Sequence, residues 1–148
     1  MKSVARSAYL SDFDDDPTSI RATLGSLIRG PALAVELETP LAEVRRMLVA
    51  SRVPAIAVVD DKSSLVGLVT RTDVLRHCDD ECTAADAMSG FVFALPIEST
   101  IEKAAALMAH EGVGQVVITR NGNELAGMIS ALDIARHFAI EAGYLAGD

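Results

Sequence analysis

The stretch Gly67-Leu68-Val69-Thr70-Arg71-Thr72-Asp73 decides the fold, because it returns as Gly127-Met128-Ile129-Ser130-Ala131-Leu132-Asp133. Subtracting 67 from 127, or 73 from 133, gives the same offset of 60 residues. The register holds backward through Leu65 with Leu125, Val53 with Val113, Met47-Leu48 with Leu107-Met108, Glu38-Thr39 with Glu98-Ser99 and Gly30 with Gly90. Forward, it pairs Arg76-His77 with Arg136-His137. A gapless match from about residue 26 to 77 against 86 to 137 defines two structural repeats.

Periodicity assigns elements within each copy. Leu41, Val44, Met47 and Leu48 fall three to four residues apart, as do Ile101, Ala104, Leu107 and Met108, which marks the buried stripe of an amphipathic helix. Thr39-Pro40 and Ser99-Thr100 supply helix starts. Residues 55–59 and 65–70 are rich in branched side chains and flank the polar turn Asp60-Asp61-Lys62-Ser63-Ser64, a hairpin signature. The second copy turns at Arg120-Asn121-Gly122-Asn123, where Asn-Gly favours a tight hairpin. A further helix is expected from Asp73 to about His77 and from Asp133 to about Tyr144, and a short extended stretch over residues 33–37 and 93–97. Each unit therefore reads β-α-β-β-α, an α/β (α+β) architecture whose continuously apolar strands have both faces covered. The divisions are an N-terminal extension over residues 1–24, repeat one over 25–80, and repeat two with its C-terminal helix over 81–148. Asp14-Asp15-Asp16-Pro17-Thr18 reads as a turn ahead of a short helix from about Ser19 to Ile28, and Asp79 to Thr83 as a link between copies.

Composition narrows the function. The chain has 148 residues, half of them hydrophobic and 23% charged, so one compact unit with ample apolar surface is expected. Thirteen Lys plus Arg against 21 Asp plus Glu leave a net charge of −8, a poor match for nucleic acid or an anionic membrane. Neither a signal peptide nor an apolar run long enough to span a bilayer is present, so a cytoplasmic protein is the expectation. Two cysteines, Cys78 and Cys82, are too few for a disulfide framework and are expected to be reduced. With no nucleophile elbow, Walker loop or dinucleotide fingerprint, no enzymatic activity is expected.

The repeated motif has the chemistry of a nucleoside cradle. A ribose offers two adjacent hydroxyl donors, and the carboxylate of Asp73 or Asp133 offers paired acceptors. Thr70 and Ser130 add hydroxyls at a strand end, the following helix adds backbone amides, and Gly67 and Gly127 suit close approach. The same residues also make ordinary helix caps.

A tandem β-α-β-β-α repeat whose last strand ends Gly-apolar-apolar-Thr/Ser-x-x-Asp resembles a pair of CBS domains, the Bateman module, over residues 26–140. The resemblance implies a pseudo-two-fold module and a regulatory sensor with no required cofactor. Its ligand would be AMP, ADP, ATP or S-adenosylmethionine, bound between the copies, and its occupancy would be passed to a separate regulated protein. It implies that Val53-Pro54-Ala55 and Val113-Gly114-Gln115 line adenine pockets, closed by residues 31–33 and 91–93, with Gly114 departing from the proline at the matching place. Arg52 stands where related modules place a phosphate-contacting cation. Arg71 lies inside the motif, whereas the second copy has Gly112 and Ala131, which favours phosphate on the first-copy side. A homodimer is also implied, and the helix bearing Leu132, Ile134, Ala135, Phe138 and Ile140 has an apolar stripe for packing within the pair or against another chain. Two other readings remain: a dimerisation or docking module with degenerate ligand sites, and, ranked last, a redox or metal switch at Cys78 and Cys82.

Overall fold

The computed structural model describes residues 21–77 and 81–147. After a 3-10 turn at Leu24–Leu27 the order is β1 (Ala34–Glu36), α1 (Leu41–Ser51), β2 (Ala55–Val59), β3 (Leu65–Thr70) and α2 (Arg71–Arg76). Then come α3 (Ala84–Ala87), β4 (Ala94–Pro96), α4 (Ile101–Glu111), β5 (Gln115–Arg120), β6 (Glu124–Ser130) and α5 (Ala131–Glu141). Two three-stranded sheets result, β1-β2-β3 and β4-β5-β6, each with one parallel and one antiparallel pair. Even the irregularity repeats: the ladder shifts register between Val58 and Val59, and again between Ile118 and Thr119.

Strand alternation explains why the sequence is apolar on both faces. Ile56 and Val58 point into the core beneath α1 and α2, while Ala55 and Ala57 join Leu65, Leu68, Val92 and Val117 in a separate cluster where the repeats meet. Small side chains on that face let the two sheets approach. The hairpin tips add polar ties, with the Leu65 amide donating to the Asn123 carbonyl at 3.2 Å and Asn123 Nδ2 to the Leu65 carbonyl at 3.0 Å. Residues Asn121 and Gly122 both take positive φ, 48° and 93°, the conformation expected of Asn-Gly in a tight hairpin.

The expected helix reaching Ile28 is shorter than the sequence suggested, a 3-10 turn of four residues, and Ser19 and Ile20 lie outside the described residues. The expected link before Thr83 runs directly into α3, capped by Thr83, whose hydroxyl accepts from the Asp86 amide. These two short turns are the same element, since 84 less 24 is 60. Each packs on the opposite repeat. The Leu24 amide donates to the Ser99 carbonyl and that of Gly25 to Ile97, while the Ala84 amide donates to Thr39 and that of Ala85 to Leu37. Leu24 thereby sits in the core of repeat two, and Ala84 and Ala87 in the core of repeat one. Each lead-in segment completes the repeat to which it does not lead.

Helix α5 ends at Glu141 rather than near Tyr144. Gly143 takes φ 82°, its amide reaches the Ile140 carbonyl, and the Tyr144 amide reaches Ala139, a glycine-terminated stop that satisfies two end carbonyls.

Candidate functional site

The repeated motif builds two matching helix starts. The Thr70 hydroxyl accepts from the Asp73 amide at 3.1 Å, and Asp73 Oδ2 accepts from the Thr70 amide at 2.8 Å. In repeat two the Ser130 hydroxyl accepts from the Asp133 amide at 3.1 Å, while Asp133 Oδ2 takes both the Ser130 amide and its hydroxyl at 2.9 Å. Both are reciprocal capping boxes. One carboxylate oxygen of each aspartate is therefore committed to the fold. Asp133 Oδ1 lies 3.8 Å from an Arg136 guanidinium nitrogen.

Residues expected beside these caps fall into register with them. The Pro54 carbonyl accepts from the Arg71 amide at 3.3 Å, and the Gly114 carbonyl from the Ala131 amide at 2.8 Å. Proline and glycine thus perform one backbone role, so the departure at Gly114 leaves this hydrogen bond in place. Gln115 is half-buried at the start of β5, opposite Ser130, and Val113 packs against the core of repeat two.

Two neighbouring hollows lie where the repeats meet. A cleft of about 200 Å³ is lined by Val53, Ala55, residues 27–33, Gly127 and Met128. A wider hollow of about 570 Å³ is lined by Ser26, Leu27, Arg29, Met128, Asp133, Arg136, His137 and Glu141, among others. Leu27, Arg29 and Met128 belong to both. A cleft of mixed polar and apolar lining thus adjoins a hollow in which two guanidiniums, Arg29 and Arg136, stand with two carboxylates, Asp133 and Glu141. The closeness of the lead-in to this site is visible at Gly127, where an added Cβ would meet Ile28 at 3.2 Å.

Arg52 and Arg71 stand elsewhere. They line an outward groove between α1 and α2 with Arg45, Leu48, Val49, Val74 and Leu75, and an Arg71 guanidinium nitrogen donates to the Arg52 carbonyl at 3.3 Å. Arg52 adopts the left-handed conformation, φ 55°, that glycine takes at the matching Gly112. The structure does not bring these two arginines to the hollow that holds Asp133. Sequence reasoning missed Arg29, and the signal was the lead-in register, in which Arg29 corresponds to Ser89 and Ile28 to Met88.

Among titratable groups with a resolved shift, Asp86 is held below its usual value, first by the Thr83 backbone amide, then by the Thr83 hydroxyl, and to a lesser degree by the His77 charge. Cys82 packs at the edge of repeat one's core, and its carbonyl accepts from the Leu41 amide. Cys78 lies outside the described residues. Among the described residues no three metal-ligating side chains gather, and no helix is long and apolar enough to cross a membrane.

Comparison with known proteins agrees with this architecture. The sequence model of the CBS domain matches residues 24–80 and 84–140, so the chain belongs to the CBS domain family. Its backbone resembles that of CBS domain protein PAE2072 from Pyrobaculum aerophilum complexed with AMP, with a TM-score of 0.74 at 20% identity, covering 83% of this chain and 98% of that one. It also resembles the CBS domain pair of protein MJ0100 in complex with 5′-methylthioadenosine and S-adenosyl-L-methionine, with a TM-score of 0.75 at 17% identity, covering 82% and 98%. Meiotically up-regulated gene 70 protein of Schizosaccharomyces pombe is 26% identical over 106 residues, which are 68% of this chain and 14% of that protein's length.

Proposed function

We propose that the chain is a regulatory module, without catalytic activity of its own, that binds a phosphorylated adenosine between its repeats and passes occupancy to a partner protein in the cytoplasm. The observation that carries this reading is the cleft at Val53 and Ala55 beside a hollow holding Arg29 and Arg136 together with Asp133, Glu141 and His137. An adenine ring suits the Val53 and Ala55 wall of the cleft, a ribose diol suits Asp133 Oδ1, the oxygen that the cap does not hold, in exchange for its Arg136 contact, and the two guanidiniums suit phosphate better than the sulfonium of S-adenosylmethionine. The cleft alone is small, but with the hollow it reaches the range of about 300–1,000 Å³ usual for ligand sites. The likeness to CBS pairs whose structures contain AMP or S-adenosylmethionine supports the ligand class.

Asp73, Thr70 and Pro54 form the matching arrangement in repeat one, where Asp86 and Ser89 replace Ser26 and Arg29. In this reading that side takes a less charged ligand or none. Phosphate contact by Arg52 and Arg71 would instead require the ligand to reach the helical groove.

Thermal unfolding against AMP, ADP, ATP and S-adenosylmethionine tests the proposal. A ligand at about 100 times its dissociation constant adds roughly 2.7 kcal/mol, several degrees for a chain of this size. Asp133→Asn keeps an acceptor for the cap and removes the charge; together with Arg29→Ala it is expected to abolish the nucleotide shift, while Asp73→Asn and Arg52→Ala leave it. No shift with any adenosine ligand sinks the sensor reading and leaves a docking module, which exposed Val49, Leu75, Leu132 and Phe138 favour.

A further inference from the structure

A third hollow, about 570 Å³, shares Ile28 and residues 30–32 with the cleft at Val53 but extends to the hairpin tips instead, at Ser63, Arg120 and Glu124. Asp133, Arg29 and Arg136 take no part in its lining. Ile28, Val59, Ile97 and Leu125, all half-buried, supply its apolar wall. The tips that frame it are tied by the two hydrogen bonds between Leu65 and Asn123, so the frame is fixed before anything enters. Its volume is within the range of about 300–1,000 Å³ usual for ligand sites.

The matching junction, at an offset of 60, is built differently. There Phe91 and Val92 stand in place of Pro31 and Ala32, and Val92 is buried with Ala55, Leu65 and Leu68 between the sheets, whereas Ala32 is half-buried. Asp60 and Ser64 stand in place of Arg120 and Glu124. Asp60 Oδ1 is closed on its own turn, accepting from the Lys62 and Ser64 amides at 2.9 Å. The fold therefore does not require a pair of opposite charges at this place. In repeat two that pair is loosely engaged: Arg120 Nε lies 3.6 Å from Glu124 Oε1, and Asn121 Nδ2 donates to Glu124 Oε2 at 3.4 Å. Both contacts are longer than the roughly 2.8 Å of a close charge-assisted hydrogen bond. The Arg120 contact is made by Nε, not by the terminal nitrogens that fork onto a carboxylate.

We propose that this hollow binds a small zwitterion with an apolar tail, an aliphatic α-amino acid such as leucine. Its carboxylate is held by the Arg120 guanidinium, its ammonium by Glu124, and its side chain by the wall of Ile28, Val59, Ile97 and Leu125. A pair of opposite charges selects a head group that carries both. A carboxylate alone leaves Glu124 facing a like charge, an amine alone does the same to Arg120, and each mismatch is penalised. The net charge of −8 repels a simple anion but exerts no net force of that kind on a zwitterion. The site is separate from the hollow that holds Asp133, and the proposal stands whether or not a nucleotide binds.

A nuclear magnetic resonance titration of the whole chain with L-leucine tests it. Saturable shifts are expected at the amides of Ala32, Ser63, Arg120 and Ala126, with a dissociation constant of about 1 mM, and none at Asp133 or His137. Isocaproate and isoamylamine, which keep the tail and lose one charge each, are expected to bind about tenfold more weakly. Arg120→Gln and Glu124→Gln are each expected to weaken leucine by a similar factor, and both positions are exposed, so the core is untouched. Pro31→Phe with Ala32→Val, the residues of the matching lead-in, is expected to abolish the shifts. No saturable shift up to about 50 mM leucine overturns the site. Shifts confined to Asp133 and His137, or shifts unchanged when Pro31 and Ala32 are replaced, overturn it as well. Equal affinity for leucine and its two analogues overturns the zwitterion. If the lead-in variant fails to fold, Arg120→Gln and Glu124→Gln decide, since unchanged leucine affinity in both overturns the assignment.

Discussion

The two repeats share their hydrogen bonds and differ in their charges. Lead-in to opposite core, carbonyl of residue 54 or 114 to the next helix, and Thr or Ser with Asp at the helix start all recur at an offset of 60. Arg29 against Ser89, Arg45 against Ala105, and Arg71 against Ala131 do not. What recurs is needed to fold a repeat, and what differs is available for recognition. In both copies the Thr/Ser-x-x-Asp motif caps a helix, and the unmatched cations are where the copies differ.

The largest expected break in that symmetry is at the lead-ins. Leu24 is fully buried in repeat two, where repeat one accepts the smaller Ala84. Leu24→Ala is expected to cost about 3 kcal/mol through the cavity it leaves, and Ala84→Gly about 1 kcal/mol, in urea unfolding. Equal losses would mean that the two cores do not depend differently on their lead-ins. Next come the strand glycines. A Cβ at Gly67 would displace Met88 and press on the Ser89 carbonyl at 3.0 Å, whereas one at Gly127 meets only Ile28 side-chain atoms. Gly67→Ala is expected to lose about 2 kcal/mol and Gly127→Ala about 1 kcal/mol or less, since a side chain yields more readily than a paired backbone.

Removing the cap hydroxyls should sharpen the likeness: Thr70→Ala and Ser130→Ala are each expected to lose about 1 kcal/mol by the same assay. A much larger loss of nucleotide response than of stability in Ser130→Ala would restore a binding role to the hydroxyl. The smallest effect concerns acid. Folding lowers the affinity of Asp86 for protons, so the stability it contributes is present above the usual aspartate value of 3.8 and is lost as pH falls below it toward the lowered value. Asp86→Asn is expected to flatten that part of the acid limb slightly in a pH series of thermal midpoints. The other lead-in, which packs on repeat two, has Ser26 at the matching place, and Ser26→Ala should leave the limb unchanged.

Much of this was legible beforehand. The strands at residues 55–59 and 65–70 appear at the bounds their branched side chains suggested, and the alternation of Ile56 and Val58 with Ala55 and Ala57 explains why they looked apolar throughout. The starts of α1 and α4 were less transparent. Thr100 caps α4 through its hydroxyl, but Pro40 occupies that place in α1 and offers no side-chain acceptor. The lead-in exchange was hidden because it depends on pairings 45 to 75 residues distant, to which local periodicity is blind. For the same reason Arg29 could not be placed beside Asp133, and the outward position of Arg52 and Arg71 emerged only when α1 and α2 packed together.

The exchanged lead-ins also order events during synthesis. Chains emerge from the ribosome N-terminus first, and contacts between distant residues form slowly because the intervening loop must close. Repeat one lacks Ala84 and Ala87 until the polypeptide has been extended past its own last helix, so its core waits for the next segment to emerge. Leu24, made early, waits longer, since its partners Leu95, Ile101 and Leu107 follow about seventy to eighty residues behind. Nascent repeat one therefore displays an apolar lead-in with nothing to cover it, and the final closure joins nearly the first described residues to the second half of the chain.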